Sequence, residues 1–274
     1  MISTEALYQE LVSAVSLSGQ RAVLRWVVTY QPAGGVGSKV FPPTYPASGD
    51  PSPYVLETRV VDGQTRRDVL LDSTPSQANR AEEALLRAHR AGLVQVPLMV
   101  VEHTGEAPVT LTSLEFPHRY ADAYLKDSLL DGVVFDKTEL GRSLMASSLE
   151  DATALYCHDP GSLVFGAWNS HRKGRQQKFP RVYASEVIGW DPELGARCAG
   201  RLDPLNLQGA QKPVKAGDGW EYSPSATKAK GEKLSEIGHG NVAPNPQHGG
   251  VTISSAQRMA TLSLAGLDRI WFGS

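Results

Sequence analysis

Residues Tyr54 to Arg90 read YVLETRVVDGQTRRDVLLDSTPSQANRAEEALLRAHR. Two β-rich runs, Tyr54 to Val61 and Thr65 to Leu71, flank Asp62-Gly63, a pair suited to the positive φ angles of a primed hairpin turn. A helix follows Asp72-Ser73, with Thr74 as N-cap, Pro75 as first helical residue and Gln77 closing a capping box. Ala78, Ala81, Leu85 and Ala88 make its apolar face, while Arg80, Glu83, Arg87 and Arg90 lie opposite, Glu83 and Arg87 as a favourable pair. Hairpin and helix in direct succession point to an α+β fold with an antiparallel sheet.

The rest of the chain extends the pattern. Upstream, Leu7, Leu11, Val12 and Val15 predict a helix stopped by Gly19, and Ala22 to Tyr30 predict a strand. Gly34-Gly35-Val36-Gly37 and Pro42-Pro43-Thr44-Tyr45-Pro46 then form a loop insertion at about 33–53, long enough to need a function or a partner. Downstream, strands are expected at Val94 to Val101, Val109 to Leu114, Leu163 to Trp168 and Val182 to Ile188. Helices are expected at Tyr120 to Leu129 and, capped by Ser147, at Leu149 to Tyr156, which His158-Asp159-Pro160-Gly161 closes. The Gly-, Pro- and Ser-rich stretch at about 206–250 reads as a mobile insertion, and Val251 to Leu264 supplies a last strand and helix. No repeat and no clean composition break divides the chain, so residues 1–274 are expected to form a single domain with these two insertions.

Composition excludes several classes. A chain of 274 residues, 41% apolar and with a net charge of −2, builds its core without staples. Two cysteines, Cys157 and Cys198, supply neither a disulfide framework nor a four-cysteine zinc site and suit a reducing compartment, so the cytoplasm is expected. No apolar stretch approaches a membrane span. Gly34 to Lys39 lacks the order of a phosphate loop, no histidine pair has zinc-ligand spacing backed by cysteine or carboxylate, and no Gly-x-Ser-x-Gly elbow occurs. Cys157, ending an apolar helix pattern, reads as an inert core thiol. Neither cofactor nor metal is expected.

The chemistry-bearing residues are polar and cationic. Between Asp159 and Glu186 lie 26 residues without an acid, containing Arg172, Lys173, Arg175, Lys178 and Arg181 beside Ser170 and His171. Such a run tracks a phosphate backbone, with Trp168 and Phe179 placed to stack on bases; the same composition also makes a solvated loop. Ser76, Gln77, Asn79 and Arg80 occupy the first turn of the best-capped helix, where free N–H groups and the dipole favour an anion, although capping alone accounts for their types. Gly238 to Leu267 carries no acid and one arginine, Arg258, which suits either an acidic polymer or a linker and core helix. A metal-independent ribonuclease using His171 with a tyrosine or serine is the enzymatic alternative.

Taken in order, Gly34-Gly35, Pro42-Pro43-Thr44-Tyr45, Leu71 to Leu85 with its Ser-Gln-Ala-Asn-Arg block, Phe165-Gly166-Ala167-Trp168-Asn169-Ser170-His171-Arg172, Lys178-Phe179-Pro180-Arg181 and Ser185 to Gly189 resemble a known family. The chain is similar to the backbone subunit of the type I-G (formerly I-U) CRISPR surveillance complex, Cascade, a Cas-seven-type member of the RAMP superfamily. The resemblance spans most of residues 20 to 205 and includes Leu262-Ser263-Leu264. It implies a modified RRM-like (ferredoxin-like) palm with a β-hairpin thumb, without catalysis. It also implies partners: the crRNA, along which copies polymerise, target DNA, other copies of itself and other Cascade subunits. Protein holds the backbone while base pairing reads sequence. On this reading Ser76, Gln77, Asn79 and Arg80, and Trp168, Ser170, His171, Arg172, Lys173, Arg175, Lys178 and Arg181, are the expected RNA contacts. The loop from Gly34 to Pro53 is the expected thumb or inter-subunit contact, and Lys212, Lys215, Lys228 and Lys230 are expected near target DNA.

Overall fold

The computed structural model of the chain describes residues 3–15, 21–45, 52–170, 177–196, 200, 213–222 and 249–273. In chain order these carry α1 (Thr4–Val15), β1 (Val23–Tyr30), β2 (Leu56–Val61), β3 (Gln64–Asp72), α2 (Thr74–Arg90), β4 (Val100–His103) and β5 (Val109–Thr112). A 3-10 turn (Arg119–Ala121), α3 (Ala123–Lys126), β6 (Leu129–Leu130), β7 (Val133–Val134), a second 3-10 turn (Phe135–Lys137), α4 (Glu139–Ala146), α5 (Thr153–His158) and α6 (Pro160–Phe165) follow. The rest is β8 (Ala167–Asn169), β9 (Gln177–Phe179), β10 (Tyr183–Trp190), β11 (Glu193–Leu194), β12 (Pro213–Ala216), β13 (Gly219–Tyr222), β14 (Val251–Thr252), β15 (Ser255–Ser263) and α7 (Leu264–Leu267). The fold is α+β, as expected, and its main antiparallel sheet, ordered β1-β15-β10-β3-β2, is consistent with an RRM-like palm.

The decisive hairpin forms as read. Asp62 and Gly63 adopt φ of 52° and 77°, the two positive values of a type I′ turn, and β2 pairs with β3 from Leu56 opposite Val69 to Val61 opposite Gln64. The helix after it differs in its cap. Ser73, in extended conformation, is the N-cap and accepts from the Ser76 N–H, which places Thr74 and Pro75 inside the first turn. Gln77 closes no capping box, because its amide turns inward. The buried line of α2 is Gln77, Ala78, Glu82 and Leu86, whereas Ala81, Leu85 and Ala88 are half-buried. Glu83 and Arg87 do pair, at 3.4 Å.

Two compact units are present. The first comprises Met1–Tyr30, Leu71–Ile188 and Gln257–Ser274; the second comprises Gln31–Leu70 and Gly189–Ala256. The first unit is built around Met99, Phe116, Tyr120, Leu125, Phe135, Leu144, Leu155, Leu163, Phe179 and Ile270. Tyr120 meets Phe179 edge to face, with centroids 6.3 Å apart. In the second, Tyr54, Val69, Trp190, Val251 and Ile253 are buried, Val40 bridges Val251, and the Gly250 N–H donates to Tyr54 Oη at 2.9 Å. Gly189 is required there, since a Cβ would come within 2.7 Å of Ile253 and 3.2 Å of Val69.

Several local expectations are corrected. The first of the two strands after α2 starts at Val100 rather than Val94, and pairs with Val109–Thr112. Tyr120 to Leu129 is not one helix but a 3-10 turn, the four-residue α3 and the start of β6. Ser147 ends a helix instead of starting one: α4 is capped by Thr138, whose Oγ1 accepts from the Gly141 N–H at 2.9 Å, and Thr153 opens α5. The run Leu163-Val164-Phe165 is helical because Pro160 sets the first turn of α6 and Gly161 and Ser162 let it bury. Gly166, at φ 82°, ends it, leaving only Ala167–Asn169 as strand. Cys157 is exposed, not a core thiol. Within the insertion at about 206–250, residues Pro213 to Tyr222 form the β12–β13 hairpin.

Candidate nucleic-acid interface

The β8–β9 hairpin alternates. Asn169, Gln177 and Phe179 point inward and are buried, while Trp168 and Lys178 face out directly across from one another. Gln177 anchors the inward face by accepting from Tyr120 Oη at 3.0 Å and donating to the Ser147 carbonyl. On the outward face Trp168 stays 57% exposed, with Lys178 Nζ 5.8 Å from its ring centroid. Phe179, read from sequence as a second stacking ring, belongs to the core instead, because strand alternation turns it away from Trp168.

These two side chains stand at an open cleft of about 460 Å³ in the first unit, lined also by His118, Arg119, Lys126, Gly166, Ser170 and Arg181. Among the described residues no carboxylate lines it. One of its cations is structural. Arg119, at φ 51°, donates bidentately to Glu82 at 2.6 and 2.9 Å and to the Gly166 carbonyl at 2.9 Å, with its guanidinium 5.5 Å from the Phe165 centroid. Burial pushes the Glu82 carboxyl above its usual range, and the Arg119 bonds and charge only partly draw it back. Lys126, Lys178 and Arg181 remain as cations not committed to that pair, beside the His118 imidazole. An acid-free concavity with an exposed indole beside an ammonium can hold a nucleic-acid strand by stacking one base and neutralising its phosphates.

Gly166 shapes the cleft wall. At φ 82° a Cβ would lie 3.0 Å from Arg181 N and 3.2 Å from the Phe179 carbonyl. Gly166→Ala is therefore expected to lower stability by about 1–3 kcal/mol for a positive-φ, extended-ψ backbone that only glycine adopts readily, read as a reduced urea midpoint.

A model of the family described as CRISPR-associated protein GSU0053 matches residues 24–193, which contain the hairpin, α2 and the whole cleft. The chain belongs to this CRISPR-associated family. No curated protein matches it.

The other expected contacts of this CRISPR-associated protein lie at α2. Asn79 and Arg80 are exposed and Ser76 is half-buried. Gln77 is buried: its Nε2 donates to Asp72 at 2.5 Å and its Oε1 accepts from Ser185 Oγ at 2.9 Å, tying α2 to β10. Arg80 Nε donates to the same carboxylate at 2.6 Å, with its side chain 67% exposed. Burial opposes the Asp72 charge, but hydrogen bonds from Ser76, Gln77 and Arg80 outweigh it and hold the carboxyl below its ordinary range. The structure thus brings Trp168, Ser170, Lys178 and Arg181 together at one cleft. His171, Arg172, Lys173 and Arg175 lie outside the described residues, as do Lys212, Lys228 and Lys230. Lys215 is exposed on β12. Of the loop at about 33–53, Val36 and Phe41 are 86% and 73% exposed.

His118, Lys126 and the Glu82–Arg119 pair escape sequence reading. Each comes from a segment remote from the basic run, and only Glu82, spaced between Ala78 and Leu86 on the inner side of α2, carried a local signal. Among the described residues no cluster of three or more His, Cys, Asp or Glu could hold a metal, and no helix is long and apolar enough to cross a membrane.

Proposed function

We propose that this CRISPR-associated protein is the non-catalytic guide-RNA-binding backbone subunit of a type I-G Cascade interference complex, polymerising along crRNA and presenting it to target DNA. The observation that carries this reading is the acid-free cleft, where Trp168 and Lys178 face a lining that adds His118, Lys126 and Arg181. Stacking and phosphate contacts hold RNA without reading its sequence, which leaves the guide bases to pair.

A second surface of the first unit supports protein partners. Val100, Val109, Tyr124 and Leu129, each 47–64% exposed, sit at a groove of about 860 Å³ that also contains Glu102 and Asp127. An apolar, acid-bearing groove repels phosphate and suits another polypeptide, either a neighbouring copy or another Cascade subunit. Exposed Val36 and Phe41 fit the same role for their loop.

The test is co-expression with a repeat-spacer RNA, followed by size exclusion and the ultraviolet absorbance ratio. A large RNA-containing particle is expected, with repeat RNA left intact by the purified chain in chelator. A small RNA-free species that binds no RNA at low salt overturns the reading, and cleavage in chelator that a His171→Ala variant loses replaces it with the ribonuclease.

A further inference from the structure

The β12–β13 hairpin repeats the cross-strand pairing of a tryptophan with a lysine seen in the β8–β9 hairpin. Both hairpins are antiparallel and, among the described residues, two-stranded. In one, register sets Trp168 opposite Lys178; in the other it sets Lys215 opposite Trp220. Residues directly opposite across a ladder share a face, so each hairpin presents one indole and one ammonium side by side. Trp220 is 38% exposed and Lys215 is exposed. The hairpin lies beyond the residues 24–193 matched by the family model, so family membership assigns it no role.

We propose that Trp220 and Lys215 form a second contact for an unpaired nucleic-acid strand, located in the second unit. The inference rests on the reading of the Trp168–Lys178 cleft as a strand-binding site, since the same pair of groups in the same register supports the same chemistry. The indole offers a π-face to a base and the ammonium meets the adjoining phosphate. A duplex keeps its bases stacked on one another, so the partner of Trp220 is a single strand. Asp218, in the turn with Gly217 between the strands, repels phosphate at the tip, and the contact falls to the face carrying Lys215 and Trp220. Two sources share this chemistry: the guide RNA and a single DNA strand.

The experiment measures fluorescence anisotropy of labelled oligouridine and labelled oligodeoxythymidine with the purified full chain after ribonuclease treatment. A Lys215→Ala/Trp220→Ala variant is expected to bind at least one of them about tenfold more weakly, from the loss of one stacked base and one phosphate contact, and Lys215→Arg/Trp220→Phe to restore most of it. Loss with oligouridine assigns the contact to RNA, and loss with oligodeoxythymidine to a DNA strand. Both side chains are exposed, and an unchanged thermal midpoint keeps the comparison one of binding. If both affinities stay within about twofold of the parent, against that tenfold expectation, the proposal is overturned. A Trp168→Ala/Lys178→Ala variant run in parallel separates the two readings: no loss there, with loss at the hairpin, removes the cleft as a strand site and leaves the hairpin.

Discussion

Glu82→Ala is expected to destabilise the chain by about 3–5 kcal/mol, the cost of stranding a buried charge. Glu82 and Arg119 have side chains only 3% and 12% exposed, so the guanidinium would keep the Gly166 carbonyl and the Phe165 ring but lose its counter-charge. The pair itself contributes little net stability, because the cost of desolvating both charges offsets much of their attraction. An apolar replacement of both partners therefore loses much less than the single change. Urea unfolding of Glu82→Ala, Arg119→Met and the double variant measures this coupling. A Glu82→Ala loss below about 1 kcal/mol, the range of a surface pair, would mean that Arg119 finds water when Glu82 is gone and does not anchor the cleft.

The second large effect is on RNA affinity. Trp168→Ala is expected to weaken single-stranded RNA binding by about 1–3 kcal/mol at every salt concentration, since stacking releases no counterions. Lys178→Ala is expected to lower the slope of log affinity against log salt by about 0.7, one phosphate contact on a single strand. Neither should move the unfolding midpoint much, because both side chains face out of the hairpin. Phe179→Ala, one residue along, should do the opposite: its ring is 3% exposed in the core, and removing it costs about 3–5 kcal/mol of stability. Anisotropy titrations at several salt concentrations separate these outcomes. Equal effects of Trp168→Ala and Lys178→Ala on the salt slope would contradict a division between stacking and phosphate contact.

Much of this contrast was open to the sequence. Asp62-Gly63 between alternating strands dictated its turn through backbone sterics alone, and the 26 acid-free residues marked the hairpin that carries Trp168 and Lys178. Local pattern fails where tertiary context decides. Leu163-Val164-Phe165 fits strand or helix until Pro160 and the burial of Gly161 and Ser162 select helix. Gln77 fits a capping box until Asp72 and Ser185 take its amide. The two rings Trp168 and Phe179 look equivalent in composition, and only the register of β8 against β9 places one in solvent and one in the core. His118, Lys126 and Arg119 reach the cleft from beyond the basic run, so no window of sequence contains the site.

Nuclease protection of the RNA in particles assembled on a repeat-spacer transcript tests the central claim most directly. Protected fragments that lengthen in regular steps, each step one copy of the chain, are the predicted result, and a Trp168→Ala/Lys178→Ala variant should shorten or erase the ladder. A transcript digested as fast with the protein as without it would contradict the account.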